Sequence, residues 1–118
     1  MSDARKASLD VIDDSLGFDE SVIIEVLALL FDPGGGLKKR EAEGYLVLTN
    51  RRLIFGTAKH GILVDLAMKE IKAPVTFRFR YMMARLVVQA DPGITHTFVV
   101  NKSAARDIAV AVNRPATA

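Results

Sequence analysis

The chain contains no cysteine. Disulfides, cysteine-based zinc sites and thiol catalysis are therefore excluded, and the absence fits a reducing compartment. No apolar run is long enough to span a bilayer as a helix, which needs about 20 residues. The longest, Val22 to Phe31, is interrupted by Glu25. Met1-Ser2-Asp3-Ala4-Arg5-Lys6 is not followed by an apolar signal core, so a soluble, cytoplasmic protein is expected. Histidine is scarce: His60 and His96 lie far apart, and neither sits in a metal-ligand pattern such as H-E-x-x-H. The serines fall mostly in the first 21 residues, and Asp13-Asp14, as neighbours on a helix, point in different directions. There is no internal repeat, and the only low-complexity tract is Gly34-Gly35-Gly36. These shortages argue against an enzyme. No catalytic residue, metal or cofactor is expected.

What remains is 118 residues, half of them hydrophobic and a quarter charged. That is enough apolar material for the core of one ordinary domain, and too much for a disordered chain. The net charge of +2 conceals a division: residues 1–36 carry −6 and the remainder +8. Two readings follow. Either the acidic start lies near the basic body, or the body presents a basic face to an anionic partner.

The most informative stretch is Gly44 to Gly56. Two apolar, β-favouring runs flank Thr49-Asn50-Arg51-Arg52, and the glycines are expected to close the ends. Asn tolerates the backbone of a tight turn, so Asn50 and Arg51 are the expected turn residues of a β-hairpin. Leu48 then faces Leu53, Val47 faces Ile54 and Leu46 faces Phe55. Side chains alternate between faces, so Leu46, Leu48, Leu53 and Phe55 form one core wall. Arg51 and Arg52 are expected in water.

The run Tyr45-Leu46-Val47-Leu48-Thr49-Asn50-Arg51-Arg52-Leu53-Ile54-Phe55 resembles the signature hairpin of bacterial pleckstrin-homology-like (PH-like, GRAM-related) domains. The start at Glu20-Ser21-Val22-Ile23 and the short terminal helix are also similar to that family. The resemblance spans about residues 18–114, and its specific part is the hairpin. It implies an α+β, mainly β fold: a barrel of two near-orthogonal antiparallel sheets, about seven strands in all, capped by a C-terminal helix. Residues 1–17 would be an N-terminal helical leader and 115–118 a tail.

The rest of the chain can be set against that expectation. In residues 3–16, Leu9, Ile12 and Leu16 make a helical apolar stripe, with Gly17 as a stop and Phe18 folding back on the last turn. This helix would be a lid on the sheet, a mobile leader or a partner-binding element. Val22 to Phe31 suits either a helix or a strand by pattern. Its β-branched start and the family resemblance favour a first strand, with Glu25 needing solvent or a partner. Asp32-Pro33-Gly34-Gly35-Gly36 makes a loop, Ile62 to Leu66 a fourth strand, and Pro74 lies near the start of a fifth. In that fifth strand Val75, Phe77 and Phe79 alternate with Thr76, Arg78 and Arg80, apolar in and basic out. Tyr81 to Ala84 reverses the chain; Arg85 to Ala90 and Ile94 to Val100 complete seven strands. Ala105, Ile108 and Val112 mark a closing helix, capped by Asn101 or Ser103 and ended by Pro115.

Two sets of residues are candidates for binding. Gly34-Gly35-Gly36-Leu37-Lys38-Lys39 is not a phosphate loop, since Leu37 separates glycine from lysine and Lys39 takes the hydroxyl position. The resemblance does place Lys38 and Arg40 where PH domains gather cations for phosphoinositide headgroups, with Lys39, Lys59 and His60 in reach of the same end. The first strand departs from that pattern, because it closes Leu29-Leu30-Phe31-Asp32 with no base. The second set is Tyr81, Met82 and Met83, soft and adaptable side chains suited to a protein contact. Arg78 and Arg80 interleave with aromatics, but alternation sends the rings to the other face and leaves no stacking platform. Nucleic acid is not expected as a partner. The expected function is a non-catalytic binding module for protein–protein interaction or self-association. A peripheral adaptor for an anionic membrane is the alternative.

Overall fold

The computed structural model describes residues 3–31, 41–72, 75–80, 82–90 and 94–113. Helix α1 (Asp3–Ser15) is followed by strands β1 (Val22–Phe31), β2 (Glu41–Thr49), β3 (Arg52–Thr57) and β4 (Gly61–Ala67). A single 3-10 turn at Met68–Glu70 leads to β5 (Val75–Arg80), β6 (Met83–Ala90) and β7 (Ile94–Asn101), and helix α2 (Lys102–Asn113) closes the chain. The strands form one antiparallel sheet in the order β4-β3-β2-β1-β7-β6-β5. β1 joins the two halves, pairing along its length with β2 and, through Leu29–Phe31, with Thr97–Val99 of β7. The fold is thus mainly β, with a helix at each end of the chain.

The sheet curls on itself. In a flat sheet β3 and β7, separated by β2 and β1, would stand about 14 Å apart, since neighbouring strands are spaced about 4.8 Å. Yet the rings of Phe55 on β3 and Phe98 on β7 lie 5.7 Å apart and both are fully buried. The even-numbered positions Leu46 and Leu48 of β2 meet Leu86 and Val88 of β6 and Val100 of β7 in the same concave core. Fully burying each such side chain stabilises the fold by about 1.5–3 kcal/mol. Ala104, Ala105 and Ile108 of α2 plug this core, and the small alanines let the helix approach closely. Asn101 Oδ1 accepts from the Ala104 amide at 2.8 Å, so Asn101 rather than Ser103 is the cap.

The hairpin register is as expected: Leu48 pairs with Leu53, Val47 with Ile54 and Leu46 with Phe55. Gly44 and Gly56, however, lie inside their strands and do not end them. A Cβ on Gly44 would come within 2.3 Å of the Gly56 carbonyl oxygen, so backbone occupies the space a side chain would need.

The other, convex face carries α1. Ile12, fully buried, packs with Tyr45, Val47 and Ile54, flanked by Leu9, Leu16 and Ile62. The absent side chain of Gly56 lets Ile12 sit close, since a Cβ there would meet Ile12 Cγ1 at 3.0 Å. Helix α1 is therefore a lid on β2, β3 and β4. Phe18 does not fold back on it but is fully exposed, and Gly17 does not adopt the left-handed backbone of the expected stop. The Gly17 amide instead donates to Glu20.

One further expectation is corrected. Met83 and Ala84 belong to β6, paired with Arg80 and Arg78, so the reversal before β6 is tighter than Tyr81 to Ala84. The register pairs Arg78 with Ala84 and Phe77 with Arg85. Pro74 and the side chains of residues 77–80 lie outside the described residues.

Candidate functional site

The hairpin turn is built by its own side chains and by residues about thirty positions earlier. Thr49, fully buried, accepts from the amides of Arg51 and Arg52, each at 3.0 Å, and donates to Glu20 Oε2 at 2.5 Å. Asn50 Oδ1 accepts from the Ser21 amide at 2.9 Å, and the Asn50 amide donates to the Ser21 carbonyl at 3.0 Å. The turn is thus bonded to the start of β1.

Arg52 does not extend into water. Its side chain is 19% exposed and its guanidinium grips Glu20, which is 2% exposed, through Nε to Oε2 at 2.9 Å and Nη2 to Oε1 at 3.0 Å. Nη1 donates to Asp65 of β4 at 2.8 Å, and Nη2 also donates to the Ser15 carbonyl at the end of α1. Arg51 remains more open and forms an ion pair with Asp19. The Arg52 hydrogen bonds hold the Glu20 carboxyl at about 2, below its ordinary 4.5; burial opposes the shift, and Thr49 and Gly17 reinforce it. Arg52 is raised in turn, chiefly by Glu20. Because Arg52, Glu20 and Thr49 bond to one another and to Ser15, Gly17 and Asp65, the arrangement is a strut. It ties the end of α1 to β3 and β4.

The expected cationic set is only partly described. Lys38, Lys39 and Arg40 lie outside the described residues. Lys59 and His60 share the exposed β3–β4 turn, where the His60 amide donates to Thr57 Oγ1 at 2.8 Å. Tyr81 also lies outside the described residues. Met82 is exposed and Met83 half-buried, and the Met82 carbonyl accepts from the Lys102 amide at 2.8 Å. The two sets are not neighbours in the sheet order: Lys59 and His60 lead into edge strand β4, whereas Met82 and Met83 follow the opposite edge strand, β5.

A surface that the sequence did not single out lies on β1, the central strand. Its even positions Ala28 and Leu30 enter the core. Its odd positions form the convex face, where Ile23 is 54% exposed, Leu27 51% and Phe31 39%, with Glu25 exposed among them. Helix α1 packs over β2, β3 and β4 and leaves this stripe bare. The apolar run Val22 to Phe31, interrupted only at Glu25, was its only signal in the sequence, and such a run ordinarily marks a strand covered on both faces.

No helix among the described residues is long and apolar enough to cross a membrane. No protein-family model matches the chain, and no curated protein matches it. Among solved structures, the crystal structure of the C-terminal domain of an unknown protein from Leishmania infantum is similar over 93% of this chain and 92% of that one, with 16% sequence identity and a TM-score of 0.60. The likeness is one of fold.

Proposed function

We propose that this chain is a PH-like domain that acts as a non-catalytic protein-binding module, its ligand another chain or a second copy. The strand order, the terminal helix plugging the concave core and the Tyr45–Phe55 hairpin support the PH-like assignment. The observation that carries the binding role is the bare stripe Ile23, Leu27 and Phe31 in the middle of the sheet. Edge positions are often exposed, but a central strand gains most from cover. These three side chains, each about half exposed, leave about 3 kcal/mol of burial unrealised. A partner can supply that burial. Exposed Glu25 and Glu43, with Asp10, Asp13 and Asp14 on α1, give this face an acidic margin that disfavours an anionic membrane.

Flotation with phosphatidylserine vesicles at low and high salt, together with light scattering of the full chain, tests the reading. The expected result is no salt-sensitive flotation. Salt-sensitive flotation abolished by Lys59→Glu would replace this reading with a membrane adaptor.

A further inference from the structure

Helix α2 plugs the concave core with one face and turns the other to solvent. At about 100° per residue, Val110 falls opposite the buried Ala104, Ala105 and Ile108, and it is 62% exposed. Lys102 and Arg106 precede it at four-residue intervals and are exposed, so the outer row of α2 reads base, base, valine. The bare stripe of β1 has the complementary make-up. Exposed Leu27 stands at its middle, and acids border it. Glu43 on β2 is exposed beside Leu29, two residues further along β1. Leu27 itself pairs with Tyr45, which α1 covers, so the exposed Asp10, Asp13 and Asp14 of α1 flank the same stripe. Lys102, Arg106, Glu43 and these three aspartates form no ion pair among the described residues.

We propose that α2 of a second copy lies on the bare stripe of β1, alongside α1, with Val110 over Leu27 and Arg106 beside Glu43. The proposal rests on the protein-binding reading above and names its partner as a second copy. The spacings agree: Arg106 stands about 6 Å from Val110 along the helix, and Leu29 about 7 Å from Leu27 along the strand. Handedness agrees as well. Seen from outside with β1 rising, β2 lies to its left; a right-handed helix running down the strand with Val110 inward turns Lys102 and Arg106 to that side. Asp107 turns the other way, clear of Glu43 and α1. A helix about 8–10 Å from α1 brings long basic side chains within reach of Asp10, Asp13 and Asp14. The giving and receiving surfaces differ, so the contact is heterologous and the association runs head to tail. Helix α2 has 12 residues, so the contact measures about 18 Å by about 10 Å. That is small against the about 800 Å² per partner of a stable interface, so the dilute chain is monomeric and association appears as concentration rises.

Sedimentation equilibrium of two complementary full-chain variants, alone and mixed, tests it. Leu27→Asp blocks the receiving stripe, and Val110→Asp blocks the giving helix. The wild-type chain is expected to associate past the dimer as concentration rises, and each variant alone to associate about tenfold more weakly. Mixed in equal amounts, the two variants are expected to form a one-to-one dimer that grows no further, because each keeps the surface the other lacks. Far-UV circular dichroism and thermal melts confirm that each variant folds. A wild-type chain that stays monomeric at all concentrations overturns the proposal and leaves the stripe to a different protein. Association weakened by Leu27→Asp but not by Val110→Asp overturns α2 as the occupant while the β1 stripe stands as the binding face. Association indifferent to both variants overturns the proposal together with that face. Variants that are each weakened but do not pair when mixed overturn the head-to-tail contact.

Discussion

Arg52 and Glu20 form a two-pronged ion pair, with Nε to Oε2 at 2.9 Å and Nη2 to Oε1 at 3.0 Å, and this contact fastens α1 to the sheet. Glu20 also accepts from Thr49 and Gly17, and Arg52 also donates to Asp65 and Ser15, so one pair links four parts of the chain. Removing either partner would leave a desolvated charge behind, which is more costly than never having had the pair.

The pair makes stability depend on pH in a defined direction. Glu20 titrates at about 2 when folded and at 4.5 ordinarily, so the unfolded chain takes up the proton first. Stability is complete above about pH 4.5 and falls as pH drops toward 2, by about 3 kcal/mol in all. Urea unfolding at pH 7 and pH 3 is expected to show about 2 kcal/mol of this loss in the wild-type chain, since pH 3 still lies above the folded value. In Glu20→Gln the loss between those two pH values should shrink by the share that Glu20 contributes.

Gly44→Ala tests the close approach of β3 backbone to β2. Its new methyl would stand 2.3 Å from the Gly56 oxygen and 2.7 Å from Thr57 Cγ2, and the first of these is backbone that cannot rotate away. A destabilisation of about 1–3 kcal/mol or more is expected in denaturant titration. An exposed control such as Met82→Ala should change stability by less than about 0.5 kcal/mol.

Ile12→Ala tests whether α1 belongs to the folded domain. Ile12 is fully buried against Tyr45, Val47 and Ile54, so truncation is expected to cost about 2–5 kcal/mol. An α1 that merely trailed from the domain would give no measurable change in thermal unfolding.

Asn101→Ala removes the only side-chain acceptor seen at the start of α2 among the described residues. A loss of about 1 kcal/mol is expected by chemical denaturation, and Asn101→Asp should retain most of the stability.

Local chemistry made some of this readable in the sequence. The hairpin register followed from Thr49-Asn50-Arg51-Arg52, where turn residues and alternation act over a few positions. The stripe Leu9, Ile12 and Leu16 and the terminal Ala105, Ile108 and Val112 followed from helical periodicity in the same way. What escaped was non-local. Arg52 looked like a solvated turn residue because Glu20 and Asp65, which bury it, come from other strands or loops. Phe18 offered no means of telling an exposed ring from one folded back. β1 gave the clearest case: an apolar run fixes a strand, but which of its faces is covered depends on where α1 lands. The cationic candidates at Lys38, Lys39 and Arg40 and the contact candidate Tyr81 lie outside the described residues, so the fold places neither set in full.

The central claim is that the convex face of β1 is where this protein meets another. Methyl-resolved NMR across about a hundredfold range of concentration tests it most directly, since dilution shifts a bimolecular equilibrium and nothing else in the fold. The account predicts that the Ile23 and Leu27 methyl signals broaden or move with concentration while those of buried Leu53 and Ile54 stay fixed. Concentration-dependent changes confined to the β4 edge or to Met82, with Ile23 and Leu27 unaltered, would contradict it.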